Sequence, residues 1–197
     1  MTKRLFDIIS SGIGIILLSP FLSLLAIWIK LDSKGPVFYR QVRVGKNNKD
    51  FKIYKFRSMH MGSEHKGLIT VGARDPRVTR SGYFIRKYKF DELPQLINVF
   101  LGDMSLVGPR PEVRKYVNLY TEYQLKVLSV KPGITDLASI KYHNENELLE
   151  KAADPDKMYV EVIMPDKLAC NLEYIKKQSF LFDIKLAFLT LKKIILR

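Results

Sequence analysis

The chain has 197 residues, 47% of them apolar, a formal charge of +13 and one cysteine. This much apolar material excludes a disordered chain, and a lone Cys170 excludes an intrachain disulfide framework and fits a reducing compartment. The charge points to an anionic partner: nucleic acid, a phospholipid surface or a phosphorylated substrate.

Leu5 to Ile29, LFDIISSGIGIILLSPFLSLLAIWI, holds one charged residue, Asp7. As a single helix it would run roughly 37 Å, more than the roughly 30 Å of a bilayer core. No small-x-small cleavage site follows, which disfavours a cleaved signal peptide. A spanning helix fits the length, and so does a re-entrant one. Two details speak for re-entry. Ser19-Pro20 falls mid-run, and proline leaves the carbonyl of Ile16 without its amide partner, a reason to kink. Lys3 and Arg4 precede the run and Lys30, Lys34, Arg40 and Arg43 follow it, so both flanks favour the cytoplasmic side. We expect residues 1–32 to form a membrane-embedded re-entrant helical hairpin broken at Ser19 and Pro20, and residues 33–197 a cytoplasmic domain.

After Gly35-Pro36 the stretches VFYRQVRV and FKIYKFRSM alternate β-branched or aromatic residues with polar ones across GKNNKD, which predicts a β-hairpin. From Lys34 to Arg57 there are eight Lys or Arg against Asp50 alone. DPRVTRSGYFIRKYKF interleaves cations with aromatics, as does a protein lying on an anionic membrane surface. Helices are predicted from Glu92 to about Phe100, Glu112 to Val130, Asn146 to Ala153 and Asp166 to Gln178. At the C-terminus Leu181, Ile184, Phe188, Leu191 and Ile195 share one helical face, either packed on the core or lying at the interface. The fold class is α+β, predominantly helical, with one small hairpin and interfacial amphipathic helices.

The chemistry concentrates in FDELPQLINVFLGDMSLVGPRPE, Phe90 to Glu112. Asp91 suits a helix N-cap and Pro94 the first turn. A helix N-terminus keeps a carboxylate ionised and attracts phosphate; a capping Asp beside an exposed Glu92 would read the same way. In Gly108-Pro109-Arg110-Pro111 each proline restricts its own φ and the residue before it, so Arg110 is presented with little backbone freedom. A rigid guanidinium suits bidentate phosphate recognition.

Other templates fail: there is no P-loop, no G-x-S-x-G elbow, and His60, His65 and His143 lack zinc-ligand spacing. Carboxylates among many cations leave phosphoryl chemistry with a hard divalent ion as the leading class.

FYRQVRVG, FKIYKFRSM, DPRVTRSG, DELPQLINVFLGDMSLVGPRPE and KPGIT, in that order, resemble the bacterial sugar transferases, the monotopic polyprenyl-phosphate phosphoglycosyl transferases, in their minimal, catalytic-domain-only form. The resemblance runs to about Thr135. It implies transfer of a sugar-1-phosphate from a UDP-sugar to undecaprenyl phosphate with release of UMP, as the first membrane step of surface-glycan assembly. It implies Asp91 as nucleophile, forming an aspartyl-phosphosugar intermediate, Glu92 as a second essential carboxylate, and Mg²⁺. We expect Asp91 on the metal and Glu92 positioning the metal or the acceptor phosphate. It further implies a re-entrant membrane segment and a catalytic domain at the cytoplasmic face of the bacterial inner membrane. Arg110 is the first candidate for the substrate phosphates, followed by Arg57 and Arg86. Downstream, DLASIKYHNENELLE departs from the family pattern from Asp136 on, and no role is carried over there.

A basic, membrane-tethered nucleic-acid-binding protein and a non-enzymatic membrane adaptor are the alternatives. Cations interleaved with an acidic pair, and the absence of any helix-turn-helix, zinc or RNA-binding signature, speak against nucleic acid.

Overall fold

The computed structural model describes residues 2–63, 75–142 and 144–195, so His65 and His143 lie outside the described residues. Helix α1 is Thr2–Asp32, followed by strands β1, Phe38–Val44, and β2, Asp50–Phe56. Then come α2, Arg80–Lys87, a 3₁₀ turn at Phe90–Glu92, α3, Gln95–Leu101, and β3, Ser105–Val107. Short helices α4, Arg114–Val117, and α5, Glu122–Leu125, lead into a 3₁₀ turn at Lys126–Ser129. Strand β4, Gly133–Thr135, precedes α6, Leu137–Lys141, α7, Glu145–Glu150, and α8, Pro155–Met158. A π-helical segment, Tyr159–Ile163, joins α9, Met164–Lys177, and α10, Phe180–Ile195, closes the chain.

Helix α1 continues through Pro20 instead of dividing in two. The physical reason is on the neighbouring residue: the Ser19 hydroxyl donates at 2.8 Å to the carbonyl of Ile16, the group that proline leaves without an amide. One face of α1, marked by Asp7, Ser11, Leu25 and Ile29, is buried. The opposite face, Leu5, Ile9, Ile13, Leu17, Leu24 and Leu31, is exposed and apolar, and α1 is long and apolar enough to cross a membrane.

Both ends of α1 are tied to the rest of the chain. Near its start Arg4 donates to the carbonyls of Val99 and Phe100 at the end of α3, supplying partners for carbonyls that a helix C-terminus leaves open. Asp7 accepts from the amide of Leu106 at 3.0 Å and the hydroxyl of Ser105 at 3.2 Å. Lys3 pairs with Asp183 of α10 and donates to the carbonyl of Val107. At its far end Asp32 accepts from the amide and hydroxyl of Ser81 at the start of α2.

The hairpin is antiparallel, with Phe38 opposite Phe56 and Val44 opposite Asp50, as its alternation predicts. Asn98 locks α3 to the free edge of β2: its side-chain oxygen accepts from the amide of Tyr54 at 2.8 Å, and its nitrogen donates to the carbonyl of Lys52 at 2.9 Å. A second, parallel pair joins β3 to β4. There Gly108 and Gly133 approach so closely that a Cβ on Gly108 would lie 2.5 Å from the carbonyl oxygen of Lys131; any side chain would push the strands apart.

The segment from Glu112 to Val130 is not one helix. It divides into α4, α5 and the 3₁₀ turn, because Thr121 and Gln124 form a capping box that starts a new helix. Helix α10 packs on the core through Leu186, beside Val107 and Tyr174. Of its predicted apolar face, Leu181 and Phe188 turn the other way, 79% and 69% exposed.

Candidate active site

Asp91 and Glu92 lie in the 3₁₀ turn ahead of α3, and Lys89 before them takes a left-handed conformation, φ 59°. Asp91 is therefore not a helix N-cap: the chain starts to coil at Phe90, which places Asp91 inside the turn, and its side chain caps no amide. Asp91 is buried and its Oδ1 has no hydrogen-bond partner among the described residues. A buried acceptor without a donor is costly, so the fold holds this oxygen in reserve.

Glu92 is in the opposite condition. Lys55 of β2 donates to its Oε1 at 3.0 Å. Arg110 meets it fork to fork, Nη1 to Oε2 at 3.0 Å and Nη2 to Oε1. The two adjacent carboxyls consequently titrate apart. Burial, reinforced by the charge of Glu92, raises the pKa of Asp91. Burial alone would raise that of Glu92 too, but Arg110 and Lys55 outweigh it and hold Glu92 well below the usual carboxylate range. Burial also lowers the pKa of Lys55, against the pull of Glu92. Neighbouring groups pushed apart in this way divide labour in many active sites.

The loop carrying Arg110 is fixed from three sides. The Gly108 amide donates to Thr135 O at 3.0 Å, and the Gly133 amide to Pro109 O at 2.9 Å. From β1, Arg43 donates through Nη1 to Pro111 O and to Glu112 Oε1, both at 3.1 Å. The Val44 amide donates to Glu112 O at 2.8 Å. The Tyr159 hydroxyl, from the π-helical segment, donates to the other oxygen of Glu112. The stiffness expected of Pro-Arg-Pro is thus reinforced by contacts that sequence spacing does not reveal.

These groups line one cavity of about 1460 Å³, which Asp91, Glu92, Arg110, Lys55 and Arg86 share. Arg86, on α2, is near enough to Asp91 to favour its ionised form. Arg57 lines the same cavity, but its terminal nitrogens are engaged elsewhere. Its guanidinium donates to the carbonyls of Ile29 at 3.2 Å, Ser33 at 2.8 Å and Lys34, so those donors are spent capping the end of α1. Ser19 and Pro20 lie mid-way along α1, and Phe21 beside them packs edge-on against Phe90, centroids 5.0 Å apart, next to Asp91.

Lys55 had a signal in the sequence: Phe51, Ile53 and Lys55 alternate onto one strand face, the face that reaches the core at Ile53, where a lysine needs an anionic partner. Among the described residues no three His, Cys, Asp or Glu side chains come together as a ready-made metal site. The unpartnered oxygen of Asp91 suits a hard cation that takes one protein carboxylate and completes its shell with substrate phosphates and water.

Compared with known proteins, residues 1–197 match the family model for bacterial sugar transferases. The chain is 41% identical over 198 residues to UDP-glucose:undecaprenyl-phosphate glucose-1-phosphate transferase of Escherichia coli (strain K12), covering 98% of this chain and 40% of that protein. It is 42% identical to UDP-N-acetylgalactosamine-undecaprenyl-phosphate N-acetylgalactosaminephosphotransferase of Aeromonas hydrophila, covering 98% and 43%. With the exopolysaccharide production protein PSS of Rhizobium leguminosarum bv. phaseoli it shares 39% identity, covering 94% and 91%. The chain spans about two-fifths of the length of the first two relatives.

Proposed function

The chain belongs to the bacterial sugar transferase family, and from that premise we propose that it transfers a sugar-1-phosphate from a UDP-sugar to undecaprenyl phosphate, releasing UMP. The observation that carries this reading is the contrast between the two adjacent carboxylates: Asp91 has a buried oxygen with no donor, whereas Glu92 is held by Lys55 and Arg110. A nucleophile must be free to bond, and a neighbour gripped by two cations is not.

In the first step a carboxylate oxygen of Asp91 attacks the phosphorus that bears the sugar. A new O–P bond forms, the bond from that phosphorus to the bridging oxygen breaks, and UMP departs with the electron pair. In the second step a phosphate oxygen of undecaprenyl phosphate attacks the same phosphorus and returns Asp91 to its carboxylate. Glu92 keeps Lys55 and Arg110 aligned at the cavity wall, and the N–H groups of Arg110 not facing Glu92 are directed to the substrate phosphates together with Arg86. A bound Mg²⁺, held through Asp91, would neutralise the diphosphate that otherwise repels the attacking carboxylate.

Both ends of α1 bind the same body, and its outer face carries Leu5, Ile9, Ile13, Leu17, Leu24 and Leu31. A straight spanning orientation would carry α3, packed along α1, into the bilayer. These contacts support a helix that enters and leaves by one face, and the basic flanks favour the cytoplasmic one. Trp28 against Phe84 and Phe6 against Phe180, centroids 5.4 and 5.3 Å apart, extend the apolar surface onto α2 and α10, which supports their lying at the interface. Asp91 would then face the level at which the acceptor phosphate sits.

The test is UMP release from a panel of UDP-sugars by the full chain in detergent or lipid, with Mg²⁺ and undecaprenyl phosphate. Release with at least one sugar, abolished by Asp91→Asn, is expected. No UMP from any UDP-sugar would overturn the reading.

A further inference from the structure

The cavity is polarised. On the side of α2 and the Arg110 loop its lining includes Lys55, Arg86, Lys89 and Arg110. On the side of α7 and α9 it carries Glu145, Glu147 and Asn171, and the lining lysine among the described residues there, Lys167, is paired with Glu145 at 2.9 Å. The first side suits phosphates. The second offers acceptors and, among the described residues, no spare cation to recognise an anion.

Asn171 is the informative residue of that second side. Met164, Lys167, Leu168 and Asn171, at helical spacing along α9, all line the cavity. Asn171 is 5% exposed, and its Oδ1 has no hydrogen-bond partner. Asn98, equally hidden, uses both its oxygen and its nitrogen on backbone groups. A buried amide oxygen without a donor calls for an explanation, and its residue lines the cavity wall, where a ligand could bring the missing donor. A neutral carbonyl-type oxygen accepts from a hydroxyl or an N–H and is repelled by phosphate oxygens.

We propose that Asn171 is a substrate-recognition residue whose side-chain oxygen accepts a hydrogen bond from a hydroxyl or amide N–H on the uncharged part of the nucleotide sugar. That donor is carried either by the sugar ring or by the nucleoside, and in both cases the phosphates lie toward Arg110. The inference rests on the transferase reading above, which wild-type UMP release tests separately in the same assay.

The experiment compares the full-length wild type with Asn171→Leu, which removes the acceptor at similar size, and Asn171→Asp, which keeps an acceptor oxygen. KM and kcat for the UDP-sugar are measured together with inhibition by UMP. We expect Asn171→Leu to raise KM about tenfold with kcat little changed, the size of one lost hydrogen bond to a buried group, and Asn171→Asp to restore most of it. Weaker UMP inhibition in Asn171→Leu assigns the donor to the nucleoside; unchanged UMP inhibition assigns it to the sugar. If melting shows that the Leu variant has lost its fold, Asn171→Ala removes the same oxygen without added branching and is judged by the same KM. Normal turnover with a wild-type KM in the variant lacking the oxygen overturns the inference and leaves the transferase reading intact. A KM raised equally by Leu and Asp also overturns it, since an acceptor would then be irrelevant.

Discussion

Arg110 and Glu92 face each other fork to fork across the cavity wall, and the carboxyl next to Glu92 in the chain, that of Asp91, is left with a free oxygen. The proline-locked cation thus serves first to occupy one acidic neighbour. The other is the one we propose as the nucleophile.

That division predicts distinct chemical fates. Incubated with a competent UDP-sugar and Mg²⁺ but no acceptor, the wild type should gain the mass of a phosphosugar and release one equivalent of UMP. Asp91→Asn should do neither, while Glu92→Gln should still form some adduct, with slow transfer. Intact-protein mass spectrometry decides, and an adduct on Glu92 would reverse the assignment.

The same pair predicts opposite effects on stability. Asp91 has a raised folded-state pKa, so its contribution is favourable below the ordinary Asp range and is lost as pH rises through the folded value. Asp91→Asn should therefore melt higher than wild type at neutral pH, by a margin that shrinks on acidification. Glu92 has a depressed pKa; its stabilisation is present above the ordinary Glu range and lost as pH falls through the folded value. Glu92→Gln leaves Lys55 and Arg110 uncompensated, a cost of about 3–5 kcal/mol for a largely buried pair. Melting curves of all three proteins between about pH 4 and about pH 8 test both signs.

Arg110→Lys should be nearly as damaging to kcat/KM as Arg110→Ala. An ammonium cannot make the two-pronged contact with Glu92 and also reach a phosphate. Near wild-type activity in the Lys variant would reduce Arg110 to charge balance.

Arg57→Gln should lower the melting temperature, because the carbonyls of Ile29, Ser33 and Lys34 lose their donors. KM for the UDP-sugar should stay unchanged. A raised KM at unchanged stability would restore Arg57 to the phosphate site.

For topology, Thr2→Cys and Lys34→Cys in a Cys170→Ser background should both react with thiol reagents from the cytoplasmic side only. Labelling of the N-terminal cysteine from the opposite side would establish a spanning helix.

The hairpin, α9 and the fixed loop around Arg110 were legible because each rests on local signals: strand alternation, helical spacing, proline on either side of Arg110. The partners of those residues were not. Lys55 reaches Glu92 from 37 positions away in sequence, and Tyr159 reaches Glu112 across 47; spacing carries no trace of such pairs. That Arg57, on the cavity wall, also caps a distant helix was not legible, because spacing says nothing of such a tie. In α10, one stripe of apolar side chains could not reveal that the helix has two, Leu186 turned inward and Leu181 outward.

The tie between Lys3 and Asp183 spans 180 residues. Helix α1 therefore finds this partner only after the intervening residues have been made. Arg4 and Asp7 can pair once Val99 to Leu106 are made, whereas Lys3 must wait for Asp183, so the seating of α1 is completed in two stages. Replacing it with a generic apolar helix would remove part of the wall on which α3, and hence the turn carrying Asp91, is built.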